Sequence, residues 1–435
     1  MMHNAIDDQD IHRVIDGFID FFRQNVNNPN FEFAELKKLM EPIFRKTGYR
    51  STQGGGGNIL ILHEGAVGDF IAASAAIREI RRIYPSAHIT LIVRSESKNL
   101  AECCPYIDEL IAEDFRLDNK TFQSLLPTMT NIAQVYKSHL ILASEKLLRR
   151  RYNLAFAYTY ADNPSMPLLA YMSGAEIIVS RFQGFGLYFP LITEVVPQKS
   201  FGYHAADAAL GYVEQLIKAP LVNRELEAWV DQADLEFAQS ILPSATKLYA
   251  IGLGGAAVRK HYPPKFYAEF INMLLREDSE LHFVIIGGKT DIEDAAIVMA
   301  NVESDRVLDL AGKTTFRQTT AVLSFCSMYI GNDSSAMHLA VANALPCLNP
   351  NCFPLDRMQP ENIVDRWYPY GVPSMIVCPS YALEECRQFM RFTGCIAKIP
   401  HCITQITPQN LFDAYKILLE RIAENNSEPL IIGSI

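Results

Sequence analysis

The chain has 435 residues, 49% hydrophobic and 20% charged, with a formal net charge of −10 at pH 7. That length exceeds what one hydrophobic core usually organises, so two domains are expected, and the composition is that of an ordinary globular protein. The acidic balance argues against broad electrostatic binding of nucleic acid, the polar start Met1 to Asp10 lacks the pattern of a signal peptide, and Asp162, Glu176 and Asp333 interrupt the apolar regions that would otherwise be candidates to span a bilayer.

Residues 1 to about 50 read as helical, with Ile11, Val14, Ile15, Phe18, Ile19 and Phe22 at helical spacing, and lie outside any α/β alternation. Ser51 to Gly57 is a glycine-rich connector; it precedes a strand, which makes it a poor phosphate loop. A strand from Ile59 to Leu62, a turn, a helix from about Phe70 to Tyr84 closed by Pro85, and a strand from His88 to Val93 form one βαβ unit. Ala155 to Thr159 and Glu176 to Val179 read as further strands, with a long helical region between Phe122 and Arg151. Pro220 and Pro243 bracket a charged stretch, Lys218 to Thr246, that reads as the domain junction.

The alternation then restarts. Leu248 to Gly252 reads as a strand, Pro263 and Pro264 open a helix with Phe266, Phe270, Ile271 and Leu274 on one face, and His282 to Ile286 is the next strand. A helix from about Ile292, a short strand near Val307, a helix over Phe316 to Phe325 and a strand at Met328 to Ile330 follow. Thr407 and Pro408 open a last helix with Leu411, Phe412, Tyr415, Leu418 and Leu419 on one face. The expected fold class is α/β: two doubly wound domains facing a cleft, residues 58–218 and 247–435, with 1–57 an extension and linker and 219–246 the junction. Ligands are expected at the carboxyl ends of the strands.

Two strand-to-helix turns carry the chemistry. In Gly331-Asn332-Asp333-Ser334-Ser335, an apolar strand breaks into a polar turn and restarts as a helix, so the unpaired N–H groups of its first turn could hold a diphosphate at Ser334 and Ser335. His338, one helical turn beyond Asp333, reads either as a core histidine or as a group that shapes this cradle. In Gly65-Ala66-Val67-Gly68-Asp69 the glycines let a ligand come close, and Asp69 is either a helix cap or a general base. Lys260 ends the glycine-rich turn Gly252-Leu253-Gly254-Gly255, where it either meets a phosphate or is solvated, and Gly287-Gly288-Lys289 repeats the arrangement more weakly.

The ordered set Gly68-Asp69, Tyr84-Pro85, Pro105-Tyr106-Ile107-Asp108-Glu109, Lys260-His261-Tyr262-Pro263, Gly287-Gly288, Asp309-Leu310-Ala311-Gly312-Lys313-Thr314 and Asn332-Asp333-Ser334 with His338-Leu339-Ala340 resembles glycosyltransferase family 9, which includes the ADP-heptose lipopolysaccharide heptosyltransferases. The resemblance spans roughly residues 58 to 420. It implies a GT-B fold, an acceptor glycan or glycoprotein on the N-terminal domain and a nucleotide-sugar donor on the C-terminal one, with inverting, metal-independent transfer. It further implies that Asp69 is the base, that Lys260 neutralises the departing diphosphate, that Asp333, Ser334 and Ser335 orient it, and that Gly287-Gly288 lies near the nucleoside. Three departures from the family pattern stand out: His63-Glu64 where many relatives carry an arginine, Ser335 where glycine is common, and Ser74 where they often have proline, which should let the first helix run more regularly.

Nine cysteines, an odd number, suit a reducing cytoplasm, at most with peripheral contact at the inner membrane face. Cys378, Cys386, Cys395 and Cys402, with His401, are candidate ligands of a structural zinc or iron, as in a cysteine-rich insert that parts of the family carry; without a close Cys-x-x-Cys pair, packed or free thiols are the competing reading. Alternatives to heptose transfer are a GT-B enzyme using another nucleotide-activated sugar and a catalytically silent module binding a nucleotide or partner. NAD-dependent chemistry ranks lower, because the first turn lacks the three-glycine spacing.

Overall fold

The computed structural model describes residues 57–113, 146–147, 150, 152–158, 165–181, 192–196, 204–217, 220–244, 247–357, 367–384 and 401–434. The N-terminal extension, nearly all of the glycine-rich connector and most of the helix expected between Phe122 and Arg151 lie outside the described residues.

The first half is a six-stranded parallel sheet. Strand β1 (Asn58–His63) is a buried apolar run, as suits a strand covered on both faces, and it pairs with β2 (His88–Val93) on one side and β4 (Leu154–Tyr158) on the other. With β3 (Glu109–Ala112), β5 (Ile177–Arg181) and β6 (Glu194–Val196) the order is β3-β2-β1-β4-β5-β6. Helices α1 (Val67–Ala72), α2 (Ser74–Ile83), α3 (Lys98–Ala101), α4 (Ser165–Met172) and α5 (Ala205–Ile217) accompany it. The helix expected to run regularly from about Phe70 to Tyr84 is broken at Ala73, whose N–H is shared between the carbonyls of Asp69 and Phe70. Ser74, fully buried, uses its hydroxyl to accept the Glu227 N–H at 2.8 Å.

That bond belongs to a wider docking of the junction segment onto α2. Arg78 donates to the carbonyls of Asn223 and Glu225 and pairs with Glu227, while Glu79 accepts the Val222 N–H at 3.3 Å. The junction then forms helix α6 (Gln232–Ile241), opened by a reciprocal cap in which Asp231 accepts the Asp234 N–H and Asp234 accepts that of Asp231.

The second half is a seven-stranded parallel sheet in the order β13-β12-β11-β10-β7-β8-β9. Its strands are β7 (Lys247–Gly252), β8 (Leu281–Ile286), β9 (Val307–Asp309), β10 (Met328–Gly331), β11 (Cys347–Pro350), β12 (Ser374–Cys378) and β13 (Pro429–Gly433). One face packs on α7 (Pro264–Glu277), α8 (Ile292–Asn301) and α11 (Pro408–Ala423), around Phe270, Phe283 and Phe412. The other face meets α9 (Phe316–Leu323) and α10 (Ser335–Ala342). Those two helices also close against the first half: α10 against α1, α9 against α3 and α6, so that Phe70, Ile71, Val322 and Leu339 share one buried apolar cluster.

Both sheets reverse their strand order once, between β1 and β4 and between β7 and β10. In an open parallel sheet, the crevice beyond the carboxyl ends at such a reversal is where ligands bind. The turns after β1, β7 and β10 all sit there.

Candidate active site

The turn after β1 is shaped by contacts that only glycine allows. A Cβ on Gly65 would lie 2.5 Å from the Asp69 Cβ, and one on Gly68 would lie 2.8 Å from Cδ2 of His338 on α10. Asp69, at the third position of α1, accepts the Ala66 N–H through Oδ2 at 3.0 Å, which is the expected cap. Its Oδ1 accepts the indole N–H of Trp367 at 2.9 Å, a bond that reaches from the second half of the chain. His63 and Glu64 are both buried; burial pulls the His63 pKa down to about 4 against the opposing field of Asp69, so the ring is neutral.

Across the cleft, Gly252 is fixed by Tyr329, whose hydroxyl would be 2.1 Å from an added Cβ. Gly254 abuts Oδ2 of Asp291, and Gly255 packs on His261, whose Nε2 lies 3.1 Å from the Gly255 carbonyl oxygen. Lys260 ends a single 3-10 turn, and its Nζ is 2.5 Å from Oδ2 of Asp333, both side chains being largely buried. Asn332, fully buried, ties these loops together: its Oδ1 accepts the Tyr262 N–H at 3.1 Å and the Tyr267 hydroxyl at 2.9 Å, and its Nδ2 donates to the Leu253 carbonyl at 2.5 Å.

Ser334 is the extended residue before α10, Ser335 is the first helical one, and no side chain caps this end. Of the first-turn N–H groups, that of Met337 donates to the Ser334 carbonyl at 3.1 Å, which leaves those of Ser335 and Ala336 to meet an anion, whose charge the helix dipole favours. The Gly287-Gly288 turn is held by Asp291, which accepts the Gly288 N–H through Oδ2 at 2.6 Å, and by Gly312, whose N–H donates to the Gly287 carbonyl at 2.9 Å. A Cβ on Gly287 would meet Asp291 at 2.9 Å, whereas one on Gly288 would find ordinary contacts.

His338 joins the two sides. It is 3% exposed; burial lowers its pKa, the fields of Asp333 and Asp69 raise it, and that of Lys260 lowers it again, with burial prevailing. The fields of a carboxylate from the first half and of the Lys260–Asp333 pair from the second thus all act on one buried imidazole, against which Gly68 packs. The candidate residues singled out in the sequence (Asp69, Lys260, Gly65, Gly68, Gly254, Gly255, Gly287, Gly288, Asp333, Ser334, Ser335 and His338) lie on these turns at the carboxyl ends of β1, β7, β8 and β10. Asn332 stands within the quoted Asn332-Asp333-Ser334 motif but carries no role of its own there, and Asp291 and Trp367 are not among the sequence candidates; Asp291 leaves a trace, an acid three residues after Gly288 as in a capping box.

The cysteine cluster is only partly visible. Cys386 and Cys395 lie outside the described residues; burial pushes the Cys378 thiol up to about 12, and buried Cys402 sits 3.4 Å from Nδ1 of the neighbouring His401. Among the described residues no three His, Cys, Asp or Glu side chains are grouped to hold a metal, and no helix is long and apolar enough to cross a membrane.

The sequence profile of glycosyltransferase family 9 (heptosyltransferase) matches residues 146–348. The lipopolysaccharide core heptosyltransferase OpsX of Haemophilus influenzae is 22% identical over 323 residues, covering 71% of this chain and 83% of that protein. Among solved structures, a family 9 glycosyltransferase from Veillonella parvula superposes with a TM-score of 0.67 at 20% identity, covering 86% of this chain and all (100%) of the other. The ADP-heptose lipopolysaccharide heptosyltransferase II of E. coli does so with 0.58 at 17% identity, covering 84% and 99%. With those neighbours, the two parallel sheets form a GT-B fold of two Rossmann-like halves.

Proposed function

We propose, from the premise that the chain is a family 9, heptosyltransferase-like glycosyltransferase, that it moves a heptose from an ADP-heptose-type donor to a bacterial surface glycan, such as a lipopolysaccharide core, or to a glycoprotein, with inversion at the anomeric carbon. Residues 58–218 would hold the acceptor and 247–435 the donor, with 219–246 between them, working in the cytoplasm or at the inner membrane face. The meeting of the Asp69 turn with α10, where Gly68 packs on His338 one turn beyond the Lys260–Asp333 pair, carries this reading.

In the proposed reaction Asp69 takes the proton of an acceptor hydroxyl as the oxygen attacks the anomeric carbon from the face opposite the nucleotide. The bond to the diphosphate breaks and its electron pair leaves on the phosphate oxygen. Charge grows there as the bond lengthens. Lys260, shared between Asp333 and the diphosphate, and the Ser335 and Ala336 N–H groups at the start of α10 meet that charge without solvent rearrangement. The Gly287-Gly288 turn would lie against the nucleoside. No metal or cofactor takes part in these steps.

Asp69→Ala is expected to lower transfer by about 10²–10⁴, the worth of a positioned base, while ADP binding is retained. Undiminished turnover would remove Asp69 from the role. In a thermal-shift comparison of ADP, UDP, GDP and CDP at equal concentration, ADP should raise Tm most, because the ligand that binds the folded state most tightly stabilises it most. A larger shift with another nucleotide would favour a different activated sugar.

A further inference from the structure

Asp69 accepts hydrogen bonds of different origin at its two oxygens. The one from Ala66 is local and comes with the helix; the one from Trp367 comes from a strap, residues 367–373, that leads into β12 of the opposite half. The strap is itself pinned on the first half. His204, just before α5, donates from Nε2 to the Tyr368 carbonyl at 3.0 Å. Its tautomer is set because Nδ1 accepts the Ala206 N–H at 3.0 Å. The His204 ring stacks on Tyr370 with centroids 4.6 Å apart, and the Tyr370 hydroxyl donates to Oδ1 of Asp207 at 2.5 Å, the same oxygen that Arg224 engages. Burial pulls the His204 pKa down to about 3, so the ring keeps this neutral form through the working range.

A carboxylate held only by a local cap can still turn about its side-chain bonds, and a general base must present a lone pair within hydrogen-bond reach of the proton it takes. A second bond at the other oxygen fixes the plane of the group. Each carboxylate oxygen can accept more than one bond, so the Trp367 bond does not by itself bar a hydroxyl from Oδ1. We propose that Trp367 is a positioning residue for Asp69, its indole N–H setting the orientation of the carboxylate from across the cleft, so that the base is aligned by the half of the protein that would hold the donor. This rests on the reading of Asp69 as the base.

Two measurements test it. The chain has two tryptophans, so an amide-correlation spectrum has two indole N–H signals, and Trp367→Phe identifies which is which. Asp69→Ala should displace the Trp367 signal and leave that of Trp229, which donates to Glu227, in place. An unmoved Trp367 signal would overturn the contact. In kinetics, Trp367→Phe keeps the packing ring and loses the donor; kcat should fall about 10–100-fold with the donor KM nearly unchanged, as for a misaligned reacting group. Turnover close to wild type, or a loss carried by the donor KM, would overturn the positioning role and leave Trp367 as packing. If Asp69→Ala moves the signal and yet keeps full transfer, the base assignment fails and the positioning proposal falls with it, an outcome distinct from an unmoved signal.

Discussion

Asn332 shows how much of the site is held by a neutral group. Its amide joins β10, the turn after β7 and the start of α7 in three bonds, so the spacing of Lys260 from Asp333 depends on a residue that carries no charge. The buried histidines carry a measurable cost of another kind. His63 and His204 sit at about 4 and about 3, below the ordinary value of 6.5. As pH falls below about 6.5 the unfolded chain takes up protons at these positions and the folded one does not, so stability is full above that pH and is lost on acidification, by up to about 1.4 kcal/mol per pH unit for each ring. Tm should therefore drop between pH 7 and pH 5, and less steeply in His204→Gln; a flat Tm over that window would contradict the burial argument.

At the scale of elements, the strand-to-helix turns are set by close approaches rather than by unusual backbone angles. Gly68→Ala would press a Cβ into the ring of buried His338, and such overpacking costs about 1–3 kcal/mol; it should also slow transfer, because α1 and α10 carry Asp69 and His338. Gly288→Ala meets ordinary contacts and should leave Tm and turnover near wild type. Equal effects of the two substitutions in melting and rate assays would refute this account. The turns were legible because a polar or glycine-rich break between an apolar strand and an amphipathic helix is a local pattern. The regular first helix was not: its break at Ala73 adjoins Ser74, which is engaged by Glu227, 153 residues further on. Strands β3, β6, β11, β12 and β13 also went unread; at 3 to 5 residues they show no period, and β4, β5, β9 and β10, just as short, were legible only as apolar runs set between helical or polar segments.

At the scale of the whole molecule, the two halves are locked by a charged clamp beside the apolar cluster. Arg317 on α9 ion-pairs with Asp234 at 2.9 Å and Asp231 at 3.2 Å, donates to Cys103 Sγ at 2.9 Å, and its backbone N–H reaches Asn99 at 3.2 Å. Asp234 is buried, so Arg317→Ala would strand its carboxylate and should cost about 3 kcal/mol, read as a lowered denaturation midpoint; a change within error would show that solvent reaches the pair in the folded state. The α/β class, the two wound halves and the turns bearing Asp69, Lys260 and Asp333 can be read along the chain, because hydrophobic period and helix-start chemistry act between near neighbours. That Trp367 reaches Asp69, 298 residues away, and that Gly68 lies against His338 emerge only once the chain has folded. Contacts of that kind come from the packing of one half on the other, and packing depends on shape and burial that leave no periodic trace along a single chain.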